Sequence, residues 1–417
     1  MNTIYSLRPL DEGDNIFGLD ALYFNIKRRW PHEQVYKNLR ELGLPRHFGP
    51  GSRLLEVVDL TKLRHISLPI TEALFPMLSP LFSQLTRLES LDIITTTGGP
   101  WKTSGVPTIK PLATLKKLKL RLCSDVLIDM LQHFPYFPSF AALEIVCDPK
   151  KGNATKYAFP ECTTPKWPAG RSQQLSLKAT DIKTTLIPTI LGRGTPDYLR
   201  YTALELRFAP TSNDQTDALI EATRIISLEC PLLTSLTIQT SSASRRVRRA
   251  RLPETFLGPL LALRHLRVID FSLEENLVVT KSLLENISTH FPQLECCVLH
   301  SSYHKENRSG TSELGANSPI SIIDIARFAA RCRYLRTVGL TAREVAKCLD
   351  ELSMEEYTST NLVRLNVGRT PVEDPRSTAG FIQRAFPFLD RLTWEDEVGM
   401  PWEDIDAWNI IHEILFS

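Results

Sequence analysis

At 417 residues, 42% hydrophobic and 23% charged, the chain can bury a large core, and its length alone would allow two or three domains. Basic side chains exceed acidic ones by only two, so net charge selects no class of partner. Residues 1–8 are too poor in apolar side chains for a secretory signal, and no run approaches the roughly eighteen needed to cross a membrane, which excludes a membrane partner and leaves cytoplasm or nucleus as the expected compartment.

In chain order, residues 1–50 show helical spacing at Leu19, Leu22, Tyr23 and Ile26, and again at Val35, Leu39 and Leu42, which predicts a helical cap. From 51 to 396 a nine-residue phrase recurs about twelve times at intervals of roughly 25 to 33 residues, with one near 41, the signature of stacked repeats. Its form is apolar, Pro, x, apolar, x, x, apolar, x, apolar. It reads LTKLRHISL from Leu60, FPSFAALEI from Phe137, CPLLTSLTI from Cys230, FPQLECCVL from Phe291, CRYLRTVGL from Cys332 and FPFLDRLTW from Phe386. Looser copies begin at Leu85, Leu112, Tyr198, Leu260 and Ser359, and a weak one at Ala169.

The last three positions alternate as in a short strand with one buried face, for example Leu236, Thr237 and Ile238. Amphipathic helices precede most copies, as at 318–332, where Ile322, Ile325, Phe328 and Cys332 share a stripe. Pro76 and Pro80 predict a broken helix over 70–82, and 124–134 reads as a regular one. One such unit cannot bury its apolar face alone, so neighbours must stack. The expected fold is α/β: a leucine-rich-repeat-like solenoid of about twelve irregular repeats, with a curved parallel sheet on the concave face and helices outside. Residues 397–417 close the array as a capping helix, with Pro401 and three acidic residues in its first turns and Trp402, Ile405, Trp408, Ile411 and Leu415 near one stripe.

These residues carry a resemblance. The phrase resembles the leucine-rich repeat, and CPLLTSLTI is similar to the cysteine-type repeats of fungal F-box substrate adaptors; SLRPLDEGD from Ser6 is similar to the segment that precedes their repeats. The resemblance implies a protein-protein interaction module that recognises substrates for an SCF-type ubiquitin ligase. Two departures stand against it: the Asn or Cys after the strand is mostly missing, Cys123 being the clearest match, and no F-box helix is visible, so a Skp1-type adaptor is an open partner. A stand-alone repeat scaffold is the alternative, and a GTPase-activating repeat protein a third class.

Polar inserts follow the strands ending at Ile93, Ile145, Ile238 and Leu299, on one edge of the repeat unit. The first two hold Trp101 and Trp167, candidate anchors for a partner. The third holds Arg245, Arg246, Arg248, Arg249 and Arg251, a basic rim that suits an import signal, phosphate contact or a solvated loop. Residues flanking the inward apolar pairs should form the concave face: Lys117, Lys119, Arg121, Lys178, Arg207, Arg267, Arg364 and Arg391, against Asp92, Glu144, Glu205 and Glu395. Such a face either receives an acidic or phosphorylated protein target, or simply solubilises the sheet by pairing with its own acids.

Nothing in the sequence points to catalysis. It holds no GxSxG elbow, Walker loop or HExxH, and GRGTPD from Gly192 lacks the third glycine of a dinucleotide site. His65 and His265 fall at equivalent places in distant repeats. The eight cysteines include no CxxC pair, and Cys123, Cys230, Cys297 and Cys332 occupy apolar positions where a thiol packs as a small hydrophobe. The reading is a binding protein, not an enzyme, with no metal, no cofactor and no nucleic-acid partner.

Overall fold

In the computed structural model of the chain, the described residues are 6–7, 38–44, 58–70, 81–95, 113–122, 139–147, 173–182, 187, 190–191, 199–208, 215–240, 251–252, 254–273, 276–301, 320–342, 354–394 and 402–417. They divide between two compact units, one spanning Met1–Ile182 and Leu186–Tyr201, the other Lys183–Thr185 and Thr202–Ser417.

The first unit lays down parallel strands in chain order: β1 (Ser6–Leu7), β2 (Glu41–Gly43), β3 (His65–Ile70), β4 (Ser90–Thr95), β5 (Lys117–Leu122), β6 (Ala142–Cys147) and β7 (Gln173–Ile182). The apolar pair of each phrase sets the register. Ile66, Leu91, Leu118, Leu143 and Leu177 stand abreast, and Leu68, Ile93, Leu120, Ile145 and Ala179 form the next row; none is more than 3% exposed. A one-residue slip would turn every one of these side chains to the opposite face, so the pattern permits a single alignment.

The second unit repeats the scheme from Thr202 of β8 (Leu199–Phe208) onward: the Ala203–Phe208 portion pairs with β9 (Ser235–Thr240), and β11 (Val268–Leu273), β13 (Cys296–Ser301), β14 (Thr337–Leu340), β15 (Arg364–Asn366) and β16 (Arg391–Thr393) follow. A separate ribbon joins β10 (Arg251–Leu252) to β12 (Asn276–Leu277). The inward row is Leu204, Leu236, Ile269, Cys297, Val338, Leu365 and Leu392. Both units are thus α/β and leucine-rich-repeat-like.

The phrase stops helices in a repeated way. Helices α1 (Gln215–Glu229), α2 (Lys281–His290), α3 (Ile322–Arg331) and α4 (Pro375–Ala385) each end at the first apolar residue of a copy. The N–H groups of Cys230, Phe291, Cys332 and Phe386 reach back to Ile226, Ile287, Phe328 and Ile382 at 2.8–3.1 Å. In three copies Pro follows; its ring bars another helical turn. A tight turn then brings the N–H of Leu233, Leu294, Leu335 or Leu389 onto the carbonyl three residues earlier at 3.0–3.1 Å, and the chain enters its strand. At the other end α3 starts in a capping box, with Ser321 and Asp324 exchanging side-chain and backbone hydrogen bonds.

Three expectations need correction. Leu39 and Leu42 are buried, but Glu41–Gly43 is a strand, and Leu39, Leu42 and Leu44 are the apolar positions of a further copy of the phrase. Helical spacing at 35–42 and the phrase share an interval of three, so the pattern alone does not separate them. Ser6–Leu7, placed before the repeats by the resemblance, pairs in parallel with Glu41–Leu42 as the outermost strand. The copy read from Leu260 begins three residues later: Leu263, Leu266, Ile269 and Phe271 are the buried set, and Glu254–Ala262 is a 3-10 helix. The helical spacing at 19–26, the helix at 124–134 and most of the broken helix at 70–82 lie outside the described residues.

At the C-terminus α5 (Trp402–Phe416) packs on α4 and buries Ala407, Trp408 and Ile411. Trp408 stacks on Trp394 with ring centroids 6.4 Å apart.

Candidate binding face

With the apolar pairs turned inward, the residues between and before them line the opposite face of each sheet. In the first unit Ser67, Asp92, Lys119, Glu144 and Lys178 form one row across five strands, alternating acid and base from Asp92 onward. Lys117 leads β5 and Arg121 stands one step beyond Lys119, so all four cations expected here are on this face.

These cations do not stand alone. Lys119 donates to Glu144, and Lys117 lies 3.3 Å from the same carboxylate. Arg121 lies 3.4 Å from Asp92, which also accepts from Ser67 at 3.4 Å. Burial alone would push Glu144 up, but the hydrogen bonds and charges of Lys119 and Lys117 outweigh it and hold the carboxyl below its ordinary value. At Asp92 burial wins over Arg121 and Lys119, and the carboxyl is pushed up. Its Oδ1 is buried and accepts no hydrogen bond from the described residues.

A second charged row, one residue before the strands, was not expected from the sequence. Arg64, Glu89 and Lys116 occupy equivalent strand-entry positions, linked by ion pairs of 3.4 and 3.0 Å, and the hydrogen bond from Lys116 holds Glu89 below its ordinary value. Their main chains carry a matching ladder: Lys116 and Lys117 both donate to the carbonyl of Glu89, and Glu89 and Ser90 both to that of Arg64, at 2.8–3.0 Å. The signal for this row was the fifth position of each phrase, charged in LTKLRHISL, FPQLECCVL and FPFLDRLTW alike.

In the second unit the central outward row is Glu205, Thr237, Asp270, Val298, Gly339, Asn366 and Thr393. Asp270 escaped the sequence reading because the Leu260 register hid it. Burial pushes its carboxyl up, against a hydrogen bond from Ser272 and with help from the Glu205 charge. Arg207 is exposed opposite Gln239. Arg267 belongs to the strand-entry row instead of the outward face, 3.6 Å from Glu295 and 3.3 Å from Gln293; Val268 is the residue that opens β11. Arg364 and Arg391 are exposed and directly opposite each other on β15 and β16.

The basic rim is represented by Arg251, whose main chain runs beside Asn276; Arg245, Arg246, Arg248 and Arg249 lie outside the described residues, as do Trp101, Trp167, Glu395, Cys123 and the GRGTPD segment. The inserts leave β4, β6, β9 and β13 at their C-terminal ends, which within each parallel sheet lie along one edge. His65 opens β3 on the outward face, while His265 is exposed in the turn before β11. Burial pushes the thiols of Cys230 and Cys332 to about 12, that of Cys296 to about 11 and that of Cys297 well up, so none is a thiolate at neutral pH. Among the described residues, no helix is long and apolar enough to cross a membrane.

No protein-family model matches the sequence, and no curated protein does. Among solved structures, the crystal structure of the Rad7 and Elc1 complex in yeast is similar: 12% identical over 93% of this chain and 87% of that one, with a TM-score of 0.36. A likeness so loose does not indicate what this chain binds.

Proposed function

We propose that this chain is a non-enzymatic protein-binding module that presents substrates to a ubiquitin ligase of the F-box type, acting in cytoplasm or nucleus. The carrying observation is the outward sheet face of each unit, a surface of short strands whose mostly polar and charged residues stand in register while the inward apolar rows are buried. Open, laddered faces of this kind suit a folded or extended protein target better than a small molecule, which needs an enclosed and mostly apolar pocket. The link to a ligase comes from the resemblance of the repeats. A stand-alone scaffold is the second reading, favoured by the lack of a legible F-box in the sequence.

Affinity capture with a Skp1-type adaptor tests the choice. Retention of the adaptor by the full chain, lost on deleting residues 1–50, supports the ligase reading; no retention, with stable capture of other proteins by the same bait, leaves the scaffold. Retention that survives the deletion would place the adaptor contact inside the repeats.

A further inference from the structure

The cations at β5 and those at the last three strands of the second unit differ in one respect. In the first unit Lys116, Lys117, Lys119 and Arg121 each have a carboxylate within 3.4 Å. At the last three strands of the second unit, Arg336 in the strand-entry row and Arg364 and Arg391 as the first residues of their strands are exposed and, among the described residues, none forms an ion pair. Asp390, next to Arg391 in sequence, makes none with them either. Arg364 and Arg391 are direct cross-strand partners, and Arg336 immediately precedes Thr337, the partner of Arg364 on the next strand. Like charges facing each other across a strand pair are destabilising, a cost that an anion would relieve. Beside them, Tyr334 is 61% and Phe388 65% exposed, although both are large and hydrophobic. The two occupy the third position of their phrases, at equivalent turns two strands apart, so they flank the arginines along the strand-entry edge.

We infer that Arg336, Arg364 and Arg391, flanked by Tyr334 and Phe388, form a docking surface for a carboxylate-rich peptide segment that also carries apolar side chains. The inference rests on the protein-binding reading and specifies the partner's chemistry. Arg364 and Arg391 face each other one strand spacing apart, about 4.8 Å, and Arg336 stands one residue earlier at the entry to the neighbouring strand, a spread that suits separate singly charged groups, each met by one planar guanidinium. Exposed aromatic side chains at either end supply the apolar anchors that usually carry the binding energy of such contacts.

A fluorescein-labelled peptide rich in Glu and Leu, titrated against the full chain, tests this directly. The expected result is binding that weakens with added salt, is absent for the peptide with Gln in place of Glu, and falls about tenfold or more in the triple variant Arg336→Glu, Arg364→Glu, Arg391→Glu. An Arg→Gln triple should lose less but in the same direction. A charge-matched control, Arg87→Glu, Arg264→Glu, Arg376→Glu, should bind as the parent does, and thermal melts of all three variants show whether each is folded. Equal binding of the Gln peptide, equal loss in the control, or binding of a phosphoserine peptide without binding of the Glu peptide overturns the inference. Adaptor capture is independent of this assay: peptide binding without adaptor retention removes the ligase link alone, and adaptor retention without peptide binding removes the docking surface alone.

Discussion

Trp408 donates its indole N–H to the main-chain carbonyl of Thr370 at 2.8 Å, across thirty-eight positions of sequence. Thr370 is itself fully buried, and its hydroxyl accepts from the N–H of Ala342 at 2.9 Å while donating to the carbonyl of Val367 at 2.6 Å. One residue therefore joins the last helix to two successive repeats. Without it the polar groups where the array ends would be buried and unpaired.

Replacing Trp408 should accordingly destabilise the second unit in two steps. Trp408→Phe keeps most of the apolar bulk and strands the Thr370 carbonyl, costing about 1 to 3 kcal/mol. Trp408→Ala adds a cavity and should cost about 3 to 5 kcal/mol. Urea unfolding of both variants measures the difference; equal midpoints for Phe and Trp would mean the hydrogen bond contributes nothing.

Adjacent residues of one phrase should respond in opposite ways. Leu335 is 0% exposed in the inward row of turns, whereas Tyr334 beside it projects into solvent. Leu335→Ala should cost about 2 to 5 kcal/mol, and Tyr334→Ala should stay within about 0.5 kcal/mol of the parent. A large loss at Tyr334 would show that its ring packs against the protein.

The Asp270 carboxyl gives stability a pH dependence of predictable sign. Its folded pKa is raised by burial above the unfolded value of about 3.9, so the native state takes up the proton first. Its ionisation opposes folding, fully so above the folded pKa, and that penalty fades as pH falls through the folded pKa toward the unfolded one. Asp270→Asn never carries the charge. The variant should be more stable than the parent near neutral pH, with a gain that shrinks on acidification toward about pH 4; a gain independent of pH would assign the effect to something other than titration.

Lys119 and Glu144 offer a test of how much the charge ladder contributes. Their side chains are 24% and 14% exposed, and solvent still screens them. A double-mutant cycle with Lys119→Met and Glu144→Gln should return a coupling of about 1 kcal/mol or less, falling with salt. A coupling several times larger would make the ladder a main support of the first sheet.

Among the four described cysteines, the three buried thiols should be silent while the protein is folded. With Cys230, Cys297 and Cys332 buried and their ionisation suppressed, alkylation by iodoacetamide near neutral pH should label none of the three until denaturant is added. Cys296 opens β13 on the outward face and is only partly covered, so of these four it should react slowly and first.

The inward residues were legible in the primary structure. Leu236, Leu294, Leu335, Leu365 and Leu392 are all buried, because a period of two within the strand and of three before it admits one way to hide every apolar side chain of the phrase. Helices α3 and α5 were legible too, α3 from the apolar stripe of Ile322, Ile325 and Phe328 and α5 from its acidic first turn, both local signals. The pattern faltered at Leu42 and at Leu260, where an interval of three serves helix, turn and strand entry equally well. Which charges meet is a matter for the assembled fold. Asp92 lies twenty-nine residues from Arg121, and Lys119 twenty-five from Glu144; their pairing depends on the register of neighbouring strands, a property of two segments together that neither contains alone. The same holds for Arg364 and Arg391, which a list of basic residues cannot distinguish from Lys117 or Arg267. They differ because the strands beside them bring threonine, asparagine and a second arginine, and no carboxylate forms an ion pair with either among the described residues.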